Sequence, residues 1–375
     1  MGTTHERMMD MNDLEQARAK ISQIDKEMAA LFEQRMNAAE TIGLYKKEKA
    51  LAIKDAEREA QLIDQNVKLI ASDAVRPYYI RFLENMFSLS SDYQRGIIGG
   101  MKIAFSGTRG AFADAAAGRM FPGAENVAYA NFEEAYRAVE NGDCDAAVLP
   151  IENSYEGEVG AVLDLLFTGH LYINRVFSLP VRHCLLAKKG AKLDGIKTVV
   201  SHPQALAQCA AYIDSHGFAT QSSTNTALAA KEVSEGNDLT VAAVGSAENA
   251  ALFGLEILEN GINDSANNAT RFAALSRAQN LTGFKKQDER DTFILVFTVR
   301  NQAGSLAQML NILGSHGYNM RSLHSRPMKN LQWNYYFYIE AEGNVNNQNG
   351  REMLQEMNAV CAQLKLAGTF REEKE

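Results

Sequence analysis

The stretch RGIIGGMKIAFSG (residues 95–107) separates two kinds of sequence. Residues 12 to about 94 contain one proline, Pro77, and no sustained strand pattern, which predicts helix throughout. Beyond the boundary, short apolar runs are each followed by helix-like sequence, and this alternation predicts an α/β domain. The runs are MKIAFSG (101–107), DAAVLPIEN (145–153), KTVVSHPQ (197–204), TVAAVGS (240–246) and RFAALS (271–276).

A charged linker, GFKKQDER (283–290), precedes a last unit with a different order of elements. Its pattern predicts β-α-β-β-α with a final strand near 366–371, which is the order of the ferredoxin-like motif. The predicted strands are DTFILVFTV (291–299), NMRSLHSRP (319–327) and NYYFYIEAEG (334–343), and the predicted helices are SLAQMLNILGSHG (305–317) and REMLQEMNAVCAQL (351–364). We therefore expect a multidomain chain with boundaries at 1–98, 101–279 and 290–371.

Length and composition set the class of protein. A chain of 375 residues is too long for one core, and 46% hydrophobic with 22% charged residues argues against disorder. The net charge of −8 argues against nucleic acid or an anionic membrane as a partner. The apolar runs are much shorter than the roughly 20 residues of a membrane span, and the polar start argues against a signal peptide, so we expect a cytoplasmic protein.

Cysteine spacing gives no indication of a metal site. The four cysteines are scattered, so we expect reduced thiols, no metal and no cofactor. They are Cys144, Cys184, Cys209 and Cys361.

The helical segment carries apolar residues at two heptad positions, which is typical of a long bundle helix. The first series is Leu14, Ile21, Met28 and Ile42, and the second is Ala17, Ile24, Leu31 and Ala38. Position 35 of the first series is Arg35, and a guanidinium on a packed seam must be paired because an unpaired buried charge is costly. Lys46 lies about 20° around the helix from Arg35, so both can converge on one ligand.

Further polar side chains extend this set, either at the heptad position of Lys46 or one turn from one another. Any one of them is expected on a solvated face, whereas the whole set, with Arg35 at a core position, indicates a binding site. The set is Arg18, Asp55, Arg58, Glu59, Ser90 and Gln94.

These residues stand in stretches that resemble the all-helical chorismate mutase family. The stretches are ARAKISQID (17–25), EQR (33–35), GLYKK (43–47), KDAERE (54–59) and SSDYQ (90–94). The resemblance implies an intertwined dimer that binds a dicarboxylate between helices. It implies that Arg18, Arg35 and Lys46 hold the carboxylates, with Arg18 supplied by the partner chain. It also implies that Asp55 and Glu59 bind the substrate hydroxyl, while Arg58, Ser90 and Gln94 complete the site, with the choice between Ser90 and Ser91 left open.

The chemistry of that family suits a cage of cations and amides. The rearrangement of chorismate to prephenate needs no nucleophile and no proton transfer. It needs a compact conformer held in place and donors aimed at the oxygen that gains charge.

The middle domain is similar to prephenate dehydratases over residues 101–279. Four motifs carry the resemblance: PIENS (150–154), SHPQ (201–204), AAVGS (242–246) and TRF (270–272). It implies a two-lobed α/β fold like that of periplasmic binding proteins. The first loop, FSGTRGAFAD (105–114), departs from the family because Ala111 and Ala113 stand where a hydroxyl residue is expected, so a polar contact is missing there.

The dehydratase resemblance implies roles for the Thr-Arg-Phe motif. Prephenate loses carbon dioxide and its ring hydroxyl to give phenylpyruvate, so a donor that polarises the departing oxygen accelerates the reaction. By this resemblance, Thr270 is that donor, Arg271 binds a carboxylate of the substrate as a bidentate donor, and Phe272 packs against the substrate ring. For His183 and His202 we favour structural roles. The expected orienting contacts are Asn153, Ser154, Ser201, Gln204 and Thr226.

The C-terminal unit resembles the ACT family of amino-acid-binding domains. Two segments, GSLAQML (304–310) and HSRP (324–327), correspond to the motifs that bind phenylalanine at a domain–domain interface. Gly304 permits close approach, and the helix that follows offers N–H groups to a carboxylate. The resemblance implies that phenylalanine, the end product, binds here and inhibits the dehydratase more than the mutase. The expected contacts are Gly304, Ser305, Leu306, His324, Ser325, Arg326 and Pro327.

Position 324 departs from the ACT pattern, which has an acidic residue there. Imidazoles in general change charge near neutral pH, so we expect inhibition to vary between pH 6 and 8 more than the catalytic rate does.

Two other function classes are compatible with the sequence. A two-lobed domain is compatible with a binding protein without chemistry, and the C-terminal unit is compatible with an amino-acid-sensing regulator. Neither explains Arg35 on the helical seam or the Thr-Arg-Phe motif. The prediction is therefore a homodimeric or larger enzyme of phenylalanine biosynthesis, with chorismate and prephenate as substrates.

Overall fold

The computed structural model describes residues 11–48, 56–98, 100–265, 267–279, 291–328 and 335–374. Contacts between residues divide the chain into two compact units, residues 1–101 and residues 102–375. Within the described ranges, no helix is both long and apolar enough to cross a membrane.

The first unit is helical, as the sequence predicts. It consists of α1 (Met11–Glu48), α2 (Ala56–Val67) and α3 (Arg76–Ile98). Helix α1 continues for 38 residues without a break, and α3 has Pro77 in its first turn, where a missing N–H leaves no bond unmade.

The heptad residues of α1 are not all covered within one chain. The C-terminal part of α1 packs on α3, where Ala39, Leu83 and Phe87 are buried. The apolar residues of the N-terminal part are exposed, with Leu31 at 63%. The others are Leu14, Ile21, Ile24 and Met28. The described residues of a single chain therefore leave most of this predicted seam uncovered.

The second unit begins with a lobe in which helices alternate with strands of one sheet. Its elements are β1 (Lys102–Ser106), α4 (Phe112–Met120), β2 (Glu125–Tyr129), α5 (Phe132–Glu140), β3 (Ala146–Asn153), β4 (Gly157–Glu158), α6 (Gly160–Thr168) and β5 (Tyr172–Pro180). The chain returns to this lobe as β11 (Ala269–Ser276), between β3 and β5. Residues 272–275 of β11 are all buried, as expected for a central strand with helices on both faces of the sheet.

A second lobe lies between β5 and β11 in the sequence. Its elements are β6 (Cys184–Ala187), a 3-10 turn (Leu193–Gly195), β7 (Thr198–Ser201), α7 (Pro203–Ala207), α8 (Ala210–His216), β8 (Ala219–Ser222), α9 (Thr226–Glu235), β9 (Val241–Gly245), α10 (Ala247–Phe253) and β10 (Glu256–Asn260). Its strands form a separate sheet in the order β10-β6-β9-β7-β8. The chain passes between the lobes twice, after β5 and before β11, so the predicted two-lobed α/β architecture is present.

The C-terminal segment has the predicted order β-α-β-β-α-β. Its elements are β12 (Asp291–Thr298), α11 (Ser305–Ser315), β13 (Asn319–Pro327), β14 (Tyr335–Glu342), α12 (Gln348–Val360) and β15 (Gln363–Lys374). The strands lie antiparallel in the order β13-β14-β12-β15. Strand β15 also pairs with β5, so one sheet of ten strands continues into the first lobe. This pairing joins the segment to the dehydratase-like domain in a single compact unit.

The run RFAALS (271–276) forms β11, and residues 277–279 that follow it are not helical. The rest of the predicted helix-like stretch after this run lies outside the described residues. A helix is not needed at this position, because β11 lies antiparallel between its two neighbours and requires no crossover.

Candidate active sites

Arg35 and Ser90 meet between α1 and α3. The Arg35 guanidinium donates a hydrogen bond to Ser90 Oγ, and its central carbon lies 5.5 Å from the centre of the Phe87 ring. Burial lowers the pKa of Arg35. Ser90 also donates to the Met86 carbonyl at 2.8 Å, which fixes its hydroxyl one turn back on α3. Of the two serines left open by the sequence, Ser90 is therefore the one that contacts Arg35.

Gln94 lies one turn beyond Ser90 and is 7% exposed. Its Oε1 is buried and has no hydrogen-bond partner among the described residues. Gly43 of α1 makes this approach possible, since a Cβ there would lie 3.0 Å from Gln94 Cγ. A buried amide oxygen without a donor is costly, so this position is suited to a donor from a ligand or a partner chain.

The other predicted residues of this unit are more exposed. Lys46 is half-buried on α1, Glu59 is half-buried on α2, and Arg18 and Arg58 are exposed. Arg18 lies about 25 Å from Arg35 along α1, at 1.5 Å rise per residue, so one chain does not bring both to the same ligand. Asp55 lies outside the described residues.

A cleft of about 550 Å³ separates the two lobes of the second unit. Five predicted residues line it, together with both histidines singled out in the sequence. These are Asn153, Gln204, Thr226, Thr270, Phe272, His183 and His202. Ala111 and Ala113 also line the cleft, so the unusual first loop presents methyl groups to it.

Thr270 is held by Asn153 at the edge of the cleft. Asn153 Nδ2 donates to Thr270 Oγ1 at 2.9 Å, and Asn153 Oδ1 accepts the backbone N–H groups of Tyr155 and Glu156. These two backbone donors fix the orientation of the amide, so Nδ2 is the group that faces Thr270. Because Thr270 Oγ1 accepts this bond, the hydroxyl proton of Thr270 is available to a group in the cleft.

Arg271 does not have the predicted position, and its assigned role is corrected. Thr270 and Phe272 line the cleft, whereas Arg271 projects from the opposite face of β11, as strand alternation requires. Its guanidinium pairs with Glu152 at 2.7 Å, Glu340 at 2.8 Å and Glu372 at 3.5 Å. Burial by itself lowers the pKa of Arg271, but hydrogen bonds to Glu340 and Glu152 and the charges of Glu340 and Glu372 together raise it. The guanidinium that was expected to bind a substrate carboxylate is therefore already paired with three carboxylates of the protein.

Ser154 and Ser201 are also corrected to structural roles. Ser154 Oγ donates to the Asn267 carbonyl at 3.1 Å and accepts the Ala269 N–H, which ties together the two strand ends. Ser201 is fully buried, and its hydroxyl donates to the Val244 carbonyl at 2.6 Å. Each hydroxyl is hydrogen-bonded to the backbone, and neither serine lines the cleft.

Each histidine that lines the cleft also has a contact within the protein. The ring nitrogen Nε2 of His183 lies 3.0 Å from Gln208 Oε1, and burial lowers the pKa of His183. His202 precedes α7 and accepts the Gln204 N–H at 3.2 Å, as a helix cap. Gln208 lines the cleft and was not predicted. Its position four residues after Gln204 is the signal that could have identified it, because such residues share a helix face.

Of the two predicted effector motifs, one lies at the start of α11 and the other at the end of β13. Gly304 precedes α11 with a φ of +86°, a left-handed conformation that favours glycine. In the HSRP segment, His324 Nδ1 lies 3.5 Å from Glu158 and Arg326 Nε lies 2.9 Å from Asp164. Glu158 lines the cleft, so β13 contacts the dehydratase-like domain directly at its site.

Among the residues that the structure describes, no three His, Cys, Asp or Glu side chains are grouped as metal ligands.

Comparison with known proteins agrees with this division of the chain. The chorismate mutase type II family matches residues 17–95, and the prephenate dehydratase family matches residues 103–280. A bifunctional chorismate mutase/prephenate dehydratase of Enterobacter agglomerans is 31% identical over 375 residues, covering 96% of each chain. The chain belongs to the family of bifunctional chorismate mutase/prephenate dehydratases. It is an enzyme with both activities, and its helical unit is the mutase.

Two solved structures are similar to the remainder of this bifunctional chain. The prephenate dehydratase of Arthrobacter aurescens in complex with L-Phe is 29% identical, with a TM-score of 0.66 over 72% of this chain and 90% of that one. GqqA, described as a quorum-quenching acylase, is 31% identical with a TM-score of 0.66 over 72% of this chain and 98% of that one.

Proposed function

We propose that the helical unit rearranges chorismate to prephenate and that the interlobe cleft converts prephenate to phenylpyruvate, carbon dioxide and water. The observation that carries the second step is the bond from Asn153 to Thr270, which leaves the Thr270 proton free toward the cleft. Thr270 then hydrogen-bonds the ring hydroxyl and polarises its carbon–oxygen bond as carbon dioxide departs. Aromatisation supplies the driving force, so assistance to the leaving group is the main requirement.

For the mutase site, Arg35, Lys46 and Arg18 are the proposed carboxylate ligands. Arg35 is already half-buried and held by Ser90, so it is preorganised before the substrate arrives. Gln94 is the proposed neighbour of the oxygen that gains charge. Asp55 and Glu59 remain the proposed contacts of the substrate hydroxyl, and Arg58 completes the site together with Ser90.

A second copy of the chain completes the mutase site in this proposal. The exposed heptad residues of α1 need an apolar partner, and Arg18 lies too far from Arg35 to serve the same chain. An intertwined homodimer meets both requirements. The α1 helix of one protomer can cover the exposed heptad residues of its partner and supply Arg18 to the mutase site of that partner.

Regulation is proposed for residues 290–371, as an ACT domain with a ferredoxin-like fold. The support is the element order, the strand order and the left-handed Gly304 before α11. Phenylalanine is the proposed effector, bound by the segments 304–310 and 324–327. With residues 1–98 and 101–279, this gives three functional domains.

One assay tests the two activities together. The purified full-length chain receives chorismate, and prephenate and phenylpyruvate are followed separately by chromatography. We expect prephenate first and phenylpyruvate afterwards, and phenylpyruvate alone when prephenate is supplied. A chain that consumes neither compound would contradict the proposal.

Effector binding has its own test, built on His324. Glu158 lies 3.5 Å from this imidazole, and the Tyr338 ring lies 6.1 Å away, so His324 joins β13 to the wall of the cleft. Calorimetric titration with phenylalanine should show binding at both pH 6 and pH 8. In activity assays at the same two pH values, the inhibition of the dehydratase by phenylalanine should vary more than its uninhibited rate does. The variant His324→Asn should remove the variation. Failure to bind at either pH would leave the C-terminal segment without an effector role.

A further inference from the structure

The Arg271 cluster connects the strand of Thr270 to three strands of the C-terminal segment. We define it as Arg271, Glu152, Glu340, Glu372 and Arg321. Arg271 holds Glu340 with two hydrogen bonds, at 2.8 and 3.0 Å, in the fork geometry that only arginine provides. Glu340 belongs to β14 and Glu372 to β15, so two of the three Arg271 partners come from outside the first lobe.

Two adjacent residue pairs on β3 and β11 relate the cluster to the cleft. On the cleft side, Asn153 donates to Thr270 at 2.9 Å. On the opposite side, Arg271 pairs with Glu152 at 2.7 Å, and the strand register places each pair directly across the ladder. A tilt of Arg271 is therefore passed to the neighbouring Thr270 through one peptide unit.

Arg321 brings the strand of the proposed effector motif into the cluster. It lies on β13, 3.4 Å from Glu340 and 3.7 Å from Glu372. The HSRP segment lies on the same strand. Arg271 and Arg321 thus share the carboxylates of Glu340 and Glu372. Arg271 is the neighbour of Thr270 on β11, and Arg321 lies on the strand that carries residues 324–327.

Burial limits how the cluster can move. The Glu340 side chain is 3% exposed and that of Arg271 is 18% exposed. A buried carboxylate that loses its guanidinium is strongly disfavoured, so a shift of β14 either carries β11 with it or breaks the pair. Two discrete arrangements of this kind are what energetic coupling between sites requires.

We propose that Arg271 is a positioning residue for Thr270 and that its pair with Glu340 couples the C-terminal strands to the dehydratase cleft. The inference rests on the proposed dehydratase function and gives Arg271 a role distinct from binding substrate. An effector that shifts β13 and β14 then changes the rate at the cleft by moving Thr270 relative to the leaving hydroxyl.

The test compares Glu340→Gln and Arg271→Lys with a matched control, Glu373→Gln. Glu373 also forms a bidentate pair with an arginine of the first lobe, Arg175, at 2.8 and 2.9 Å, but this pair is more exposed, and Arg175 lies opposite Ala274, four residues along β11 from Thr270. Each full-length variant is assayed for kcat and KM with prephenate, for phenylalanine inhibition, and for mutase rate with chorismate. The thermal midpoint reports whether the second unit is folded, and the mutase rate reports how much of the chain is present.

We expect Glu340→Gln and Arg271→Lys to lower dehydratase kcat at least fivefold with KM within twofold, and to weaken phenylalanine inhibition by about fivefold or more. The control and the mutase rate should stay within twofold. Arg321→Gln, at a more exposed position, should weaken inhibition while leaving the uninhibited kcat within twofold. This variant keeps the test decisive if the buried changes prevent folding.

Unchanged kcat and inhibition in Glu340→Gln, or an equal effect in Glu373→Gln, would overturn the inference. A wild-type chain that makes no phenylpyruvate would instead contradict the proposed function. A wild type that is active but indifferent to phenylalanine would contradict the effector assignment, and the kcat comparison would still decide whether Arg271 positions Thr270.

Discussion

At the scale of the residue, the hydroxyl of Thr270 is placed as a donor by its neighbour. Asn153 Nδ2 occupies one lone pair of Oγ1, and the Asn153 carbonyl oxygen is itself held by two backbone N–H groups. Thr270 is therefore ready to donate before the substrate binds. Preorganised donors are effective because they need no rearrangement as charge develops on the leaving group.

The isosteric variant Thr270→Val tests this placement. It preserves shape and removes the donor, for which a loss of about a hundredfold or more in kcat is typical. Thr270→Ser retains the hydroxyl and should retain most of the activity. Steady-state kinetics with prephenate would measure both, and equal rates for the valine and serine variants would show that the hydroxyl has no part in the reaction.

His183 gives a pH dependence of stability. Burial lowers its pKa below the usual 6.5, so the unfolded chain binds a proton that the folded chain does not. The contribution of neutral His183 to the free energy of unfolding is therefore fully present above pH 6.5 and is lost as the pH falls through the lowered pKa. We expect His183→Gln to reduce the fall in the thermal midpoint between pH 7.5 and 5.5.

The exposed His170 provides the control for that measurement. His170→Gln should leave the acid-side decline of the wild type unchanged. If His183→Gln shows the same decline as the wild type, titration of other groups accounts for the acid sensitivity.

At the scale of the element, α1 carries an apolar seam that its own chain leaves exposed. Leu31→Glu places a charge on this seam, where the proposed partner helix would bury it, so the dimer should dissociate. We expect a lower molecular mass by light scattering and a loss of mutase activity, with dehydratase activity retained. Ser22→Glu adds the same charge off both heptad positions and should change neither quantity.

Elements with a strong periodic or continuous apolar pattern could be predicted from the sequence, whereas the edge strands could not. The long helix α1 and the buried strands β1, β3 and β11 have such patterns. Strands β8 and β10 lie at the two edges of the second sheet and are largely exposed, so their residues carry no alternation to detect.

The same limit applies within the site. Proximity of Thr270 to the PIENS motif follows from motif resemblance, and both line or border the cleft. The partner of Arg271 could not be predicted, because Glu340 is 69 residues away on a strand whose pairing is set by the tertiary fold. Strand alternation alone indicates that Thr270 and Arg271 face opposite sides, and this was the available signal.

At the scale of the whole molecule, each proposed site draws its described residues from one compact unit. Arg35, Ser90 and Gln94 belong to the first unit, whereas Asn153 and Thr270 belong to the second. A change that removes one side chain without unfolding its unit should therefore affect one reaction only. The bifunctional chain then serves as its own internal control, because the activity that is retained measures how much of the protein is present in the same sample.

The two activities should separate by single substitutions in the full-length chain. Arg35→Ala removes a preorganised cationic donor, so mutase kcat should fall by about a hundredfold or more while added prephenate is still converted at nearly the wild-type rate. Thr270→Ala should have the reverse effect, so that prephenate accumulates from chorismate. Arg81→Ala, at an exposed position of α3, should leave both rates unchanged. Equal damage to both reactions from Arg35→Ala or Thr270→Ala would mean that the two sites depend on one another, and would contradict the assignment of one reaction to each unit.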